Sequence, residues 1–132
     1  MSNYSKRIRE ERHACYAIAL ADAHIAAVRA QIGMQEGRGL DCGFAWCTVH
    51  DPAFQRWCRD SARANEDAMR AGQPAERRGY FGSKHYAAGW CFWKPGAYPG
   101  QSIGIHEAGA RAFRDSLAHT LQIRVETGSR LD

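Results

Sequence analysis

From Ser5 to Ile32 the chain runs without a single proline or glycine and is rich in Ala and Arg, which dictates one long helix. At 1.5 Å per residue it reaches about 40 Å. Ile8, Cys15, Ile18, Ile25, Val28 and Ile32 recur on one broad stripe, and that stripe is expected to pack on the rest of the fold. Gly33 ends the helix, and Gly37 and Gly39 keep the next segment in a loop. A helix this long overhangs a three-stranded sheet, which is about 15 Å wide. Its overhanging part can therefore pair with a symmetry mate, giving a homodimer through the N-terminal helix.

The remaining segments alternate. Leu40 to Val49 (LDCGFAWCTV) has strand composition, and its nearly unbroken apolar run predicts a strand covered on both faces. Asp51-Pro52 starts a second helix, with Phe54, Trp57 and Cys58 on its apolar face. That pattern fades after Arg63, so the helix should end before Gly72, with Gln73 to Lys84 as a loop. Ala87 to Lys94 reads as a second strand closed by Pro95-Gly96. Ser102 can cap a third helix, whose core stripe is Ala108, Ala112, Phe113, Leu117 and Leu121. Gln122 to Thr127 is a third strand, followed by a short tail.

The expected architecture is therefore α+β, in the order α-β-α-β-α-β, with a small three-stranded, mixed sheet and helices packed on it. Residues 1–132 read as one domain, the long helix over 1–33 and the sheet with its helices over 40–132. A chain of this size buries enough surface to fold without a metal or disulfide. No stretch approaches a membrane span, and the charged N-terminus is unlike a signal peptide, so a cytoplasmic protein is expected. Five scattered cysteines agree with a reducing compartment.

Charge points to a surface. Arg77, Arg78, Lys84 and Lys94 lie within residues 77–101, a window with no Asp or Glu, and these four match the formal +4 of the whole chain. The same window holds half of the Phe, Tyr and Trp rings, among them Tyr80, Tyr86, Trp90 and Trp93. Cations interleaved with rings suit a surface that stacks on bases and neutralises phosphate. The expected ligand-binding residues are Arg77, Arg78, Tyr80, Lys84, His85, Tyr86, Trp90, Trp93 and Lys94. The partner they imply is nucleic acid, a nucleotide or an acidic patch on a protein. The alternation of Trp90 and Phe92 with Cys91 and Trp93 puts at least one of those faces in the core.

Catalysis has weaker support. There is no C-x-x-C, the glycine-rich segment 33–39 lacks the Lys-Ser/Thr of a phosphate loop, and Asp41, Asp51, Glu107 and Glu126 each stand alone, so neither a metal nor another cofactor is expected. The alternative function is a small enzyme with a Cys–His or metal-assisted site built from Cys47, His50 and Cys91.

A set of short motifs stands in fixed order: GFAW at 43–46, FQRW at 54–57, GWCFW at 89–93, QS at 101–102, HEAGARAF at 106–113 and GSRLD at 128–132. Together they resemble a group of small proteins encoded by tailed bacteriophages and prophages, over the span from about residue 40 to the C-terminus, with the N-terminal helix and Glu66 to Arg78 outside the likeness. The group brings no catalytic residues to carry over. The resemblance implies an accessory phage gene acting inside a host cell, where small proteins bind and redirect host factors, including defence systems.

Overall fold

The computed structural model of the chain describes residues 3–34, 41–85 and 89–131. Helix α1 spans Asn3–Met34, β1 Gly43–Val49, α2 Pro52–Arg70, β2 Ser83–Lys84, β3 Trp90–Trp93, α3 Ile103–Leu121 and β4 Val125–Leu131. The α+β class and the long first helix hold. The sheet differs from expectation: it has four strands, in the order β2-β3-β1-β4, and every neighbouring pair is antiparallel. The reason lies in the connections. Each of the units β1-α2-β2 and β3-α3-β4 leaves a gap between its two strands, and each gap is filled by a strand of the other unit. This is the connectivity of the split β-α-β plan.

Local chemistry explains most boundaries. The Asp51 carboxylate accepts the Phe54 N–H at 2.9 Å and Pro52 occupies the first turn, so α2 begins where the sequence places it. Strand β2 is two residues long, too short for any alternating pattern, and so hides in the expected loop. Strand β4 begins later and runs further than expected. Gln122 takes a left-handed conformation at the end of α3, and the tail GSRL pairs with β1 as far as Gly43↔Leu131. Ser102 stands before α3 without giving it a side-chain cap, and instead bridges to Cys42 in a short antiparallel contact.

The core face of the sheet presents Ala45, Cys47, Val49 and Phe92 to the helices. Tyr16 of α1 is its hub. The ring lies 5.5 Å from Trp57 and Phe92 and 6.0 Å from Phe113, and its hydroxyl donates to the Tyr80 carbonyl. Trp57 and Phe113 are both buried, as their stripes predict.

The buried stripe of α1 differs from the expected one. Its buried face is Cys15, Tyr16, Ala19, Ala23 and Ala27, while Ile18, Ile25, Val28 and Ile32 face water. Close approach selects the small residues: a Cβ on Gly96 would sit 3.1 Å from the Ala27 Cβ and 3.3 Å from the Ala23 carbonyl. Bulky aliphatics on that side would force α1 away from α3 and from the Pro95-Gly96 turn.

Candidate functional site

Side chains alternate across a strand, so β1 points Phe44, Trp46 and Thr48 away from the helices. The register places Trp93 opposite Trp46 and Cys91 opposite Thr48 on β3, and Arg130 opposite Phe44 and Gly128 opposite Trp46 on β4. These residues share the face of the sheet opposite the core, and helix α3 reaches it only at one end, where His106 lies 5.8 Å from the Phe44 ring. The expectation that β1 is covered on both faces holds in part: on this second face Thr48 is buried, Phe44 and Trp46 are half-buried, and the neighbouring Trp93 of β3 is 48% exposed.

The rings form one continuous platform. Trp46 and Trp93 stack at 5.5 Å with 15° between their planes, and Phe44 lies 5.4 Å from Trp93. Gly128 makes the seat, because a Cβ there would come within 2.6 Å of the Trp46 indole. Lys94 holds its ammonium 5.5 Å from the centre of the Phe44 ring, at a distance that allows cation–π attraction. Its backbone is left-handed, with φ +49°, and is held by an N–H donated to the Ala45 carbonyl at 3.1 Å. At the far end of the face Glu126 is paired with Arg124 at 2.9 Å and lies 3.6 Å from His50.

The expected ligand residues divide between two sites. Arg77, Arg78, Trp93 and Lys94 line one cavity of about 440 Å³ together with Cys91 and Tyr98, beside the aromatic platform. Arg78, Tyr80, Lys84 and Trp90 line a second, of about 390 Å³, together with Arg59 and Arg63 of α2. Trp90 pairs with Val49 and therefore lies on the helix side of the sheet, where its indole N–H donates to the Phe81 carbonyl at 2.6 Å. That bond and its packing on the core make it a structural residue. Tyr80 is half-buried, and burial together with the nearby Glu76 carboxylate raises its phenol above the ordinary value. His85 is half-buried and its backbone N–H donates to the Gly89 carbonyl at 3.0 Å. Tyr86 lies outside the described residues.

Sequence reasoning missed Phe44, Trp46 and Arg130. The first two were legible in the alternation Phe44, Trp46, Thr48 against Ala45, Cys47, Val49. Arg130 carried no signal, because its place depends on the pairing of β4 along β1.

The Cys–His alternative is not assembled. Cys47 is fully buried on the core face, its thiol donates to the Ala110 carbonyl at 3.1 Å, and burial pushes its pKa up to about 12. Cys91 projects from the opposite face of the sheet, and its thiol too is raised by burial. A nucleophilic thiol needs the reverse shift. Among the described residues, no group of three or more His, Cys, Asp or Glu side chains is placed to hold a metal ion.

A further groove of about 760 Å³ separates α1 from α2. Arg9, Arg12, His13 and Arg56 line it along with the carboxylates of Asp60 and Glu76, so its charges are mixed. The buried Trp57 indole forms part of its wall and meets His13 edge-on at 4.8 Å.

Among the described residues no helix is long and apolar enough to cross a membrane. No protein-family model matches the chain, and no curated protein or solved structure gives a significant match.

Proposed function

We propose that this chain binds single-stranded nucleic acid across the open face of its sheet. Trp46, Trp93 and Phe44 stack on bases, while Lys94, Arg130, Arg77 and Arg78 meet the phosphates. The observation that carries this reading is the Trp46–Trp93 stack, half in water, on the two central strands of a four-stranded antiparallel sheet. Large rings normally repay burial, and a contiguous aromatic patch left open with cations around it marks a contact surface. Four-stranded sheets that display rings on a free face are a recurrent platform for splayed bases.

Stacking contributes about 1–3 kcal/mol per base, so two bases plus a few phosphate contacts support binding in the micromolar range. Stacking on rings and contact with phosphates carry no sequence information, so the binding should be sequence-tolerant. A nucleotide or an acidic protein presents some of the same groups, but the platform spans three side chains on two strands and suits an extended strand better than one base. The resemblance to phage-encoded proteins supplies the setting: the cytoplasm of an infected cell, where such a protein would shield a strand or withhold it from a defence system.

Titration of labelled single-stranded and duplex oligonucleotides, at low and high salt, tests the reading. Single strands should quench tryptophan fluorescence and bind more tightly than duplex, and the affinity should fall steeply with salt. Absence of binding at low salt removes nucleic acid and leaves an acidic protein as the partner of this surface.

A further inference from the structure

The face of α1 turned away from the core carries Ala14, Ile18, Ala21, Ile25, Val28 and Ile32. Ile18, Ile25, Val28 and Ile32 are 50%, 47%, 39% and 62% exposed. The six residues alternate in steps of four and three, so Ile18, Ile25 and Ile32 recur every seven positions, as do Ala14, Ala21 and Val28. That is the spacing of a coiled-coil seam. The fold does not use it, because the stripe that packs α1 on the core is the separate set Tyr16, Ala19, Ala23 and Ala27. A surface helix of a monomer has one apolar stripe, and this helix has two.

We propose that this second stripe is the contact surface of a homodimer, in which α1 of one copy packs along α1 of another. The regular spacing selects a second copy as the occupant. Knobs repeating every 3.5 residues fill holes of the same repeat, and a two-fold contact brings one surface against itself. The seam holds no charged side chain between Ala14 and Ile32, so self-pairing buries no like charges. Its size is also sufficient. At roughly 90 Å² for each half-exposed aliphatic, the four large side chains offer about 350 Å² per copy. Alanines and flanking stems carry a pair past the ~1,000 Å² that a specific, if weak, contact needs. The dimer should therefore form in the micromolar range. The seam lies on the far side of the helix layer from the open sheet face, so this proposal does not depend on strand binding.

Sedimentation equilibrium of the full chain, from about 5 to about 200 μM, tests it. The wild-type chain should pass from monomer to dimer over that range, with a Tm that rises with concentration. The double variant Ile25→Glu/Ile32→Glu should stay monomeric, keep its circular dichroism spectrum, and show a Tm independent of concentration. A wild-type chain that is monomeric throughout overturns the proposal, as does a double variant that still dimerises. So does a variant that loses its fold, because the stripe would then be packed within one chain.

Discussion

Replacing Trp93 by Ala separates a binding platform from a patch of ordinary packing. Trp93 is half-exposed, stacks on Trp46 and touches Phe44, and lies outside the buried core. Loss of its ring contacts should cost stability about 1–1.5 kcal/mol, well under the ~3–5 kcal/mol of a core Phe or Trp truncation. Loss of one stacked base should weaken a single strand by about 1–3 kcal/mol, or roughly 5- to 150-fold. Trp90→Phe is the control: it deletes the indole N–H donated to Phe81 on the other face of the sheet, and should cost about 1 kcal/mol of stability with no change in affinity. Fluorescence anisotropy with a short labelled oligonucleotide reads the affinities, and urea unfolding reads the stabilities. With four cations engaged, the wild-type slope of log affinity against log salt should be near about −3. A folded Trp93→Ala chain that binds within twofold of wild type refutes the stacking role. Equal losses from Trp93→Ala and Trp90→Phe would refute the assignment of faces.

Three other outcomes follow from the same geometry. Phe113→Ala, at a side chain with no exposure that touches both Tyr16 and Phe92, should lower the unfolding free energy by about 3–5 kcal/mol in urea titration. Alkylation at mildly alkaline pH, followed by peptide mapping, should label exposed Cys42 first and Cys47 and Cys58 last, because burial both hides these two thiols and raises their pKa values. Burial, and then the neighbouring Arg9, lowers the His13 imidazole below 6.5 in the folded chain, so as pH falls the unfolded state takes its proton first. Stability should be complete above that value and decline below it, and His13→Gln should show a smaller loss between about pH 7.5 and pH 5.5.

The parts of this fold that rest on local signals were legible, and those that rest on partners were not. Asp51 before Pro52 starts α2 through bonds within one turn, and Phe113 and Trp57 sit on stripes whose period alone assigns them inward. The α1 stripe misled for a physical reason. Periodicity ranks large aliphatics as the interior, yet the approach of α1 to Gly96 and Gly109 leaves room only for alanines: a Cβ on Gly109 would lie 2.9 Å from the Gly96 Cα. The basic and aromatic window contains Trp93, Lys94, Arg77 and Arg78, which line one cavity, but the rings beside Trp93 come from β1, more than forty residues upstream, and Arg130 from β4. Only the antiparallel register of β3, β1 and β4 brings them onto one face.

Two backbone choices bear on whether that face is a site or a by-product of packing. A glycine inside β4 weakens the strand, yet Gly128 is what lets the Trp46 indole lie flat. A left-handed conformation costs a residue with a Cβ about 1 kcal/mol or more, yet Lys94 adopts it and so stands over Phe44. Both choices run against stability, and both serve the same patch, which is where functional constraint is expected to override local preference. Lys94→Gly separates the two contributions. Relief of the backbone strain and loss of the cation–π contact oppose each other, so stability should stay within about 0.5 kcal/mol of wild type. The salt slope for single strands should become shallower by about 0.7, the loss of one phosphate contact, and the affinity should fall with it. If Lys94→Gly leaves the slope unchanged, the lysine serves only the turn, and the strain at residue 94 has no functional reading.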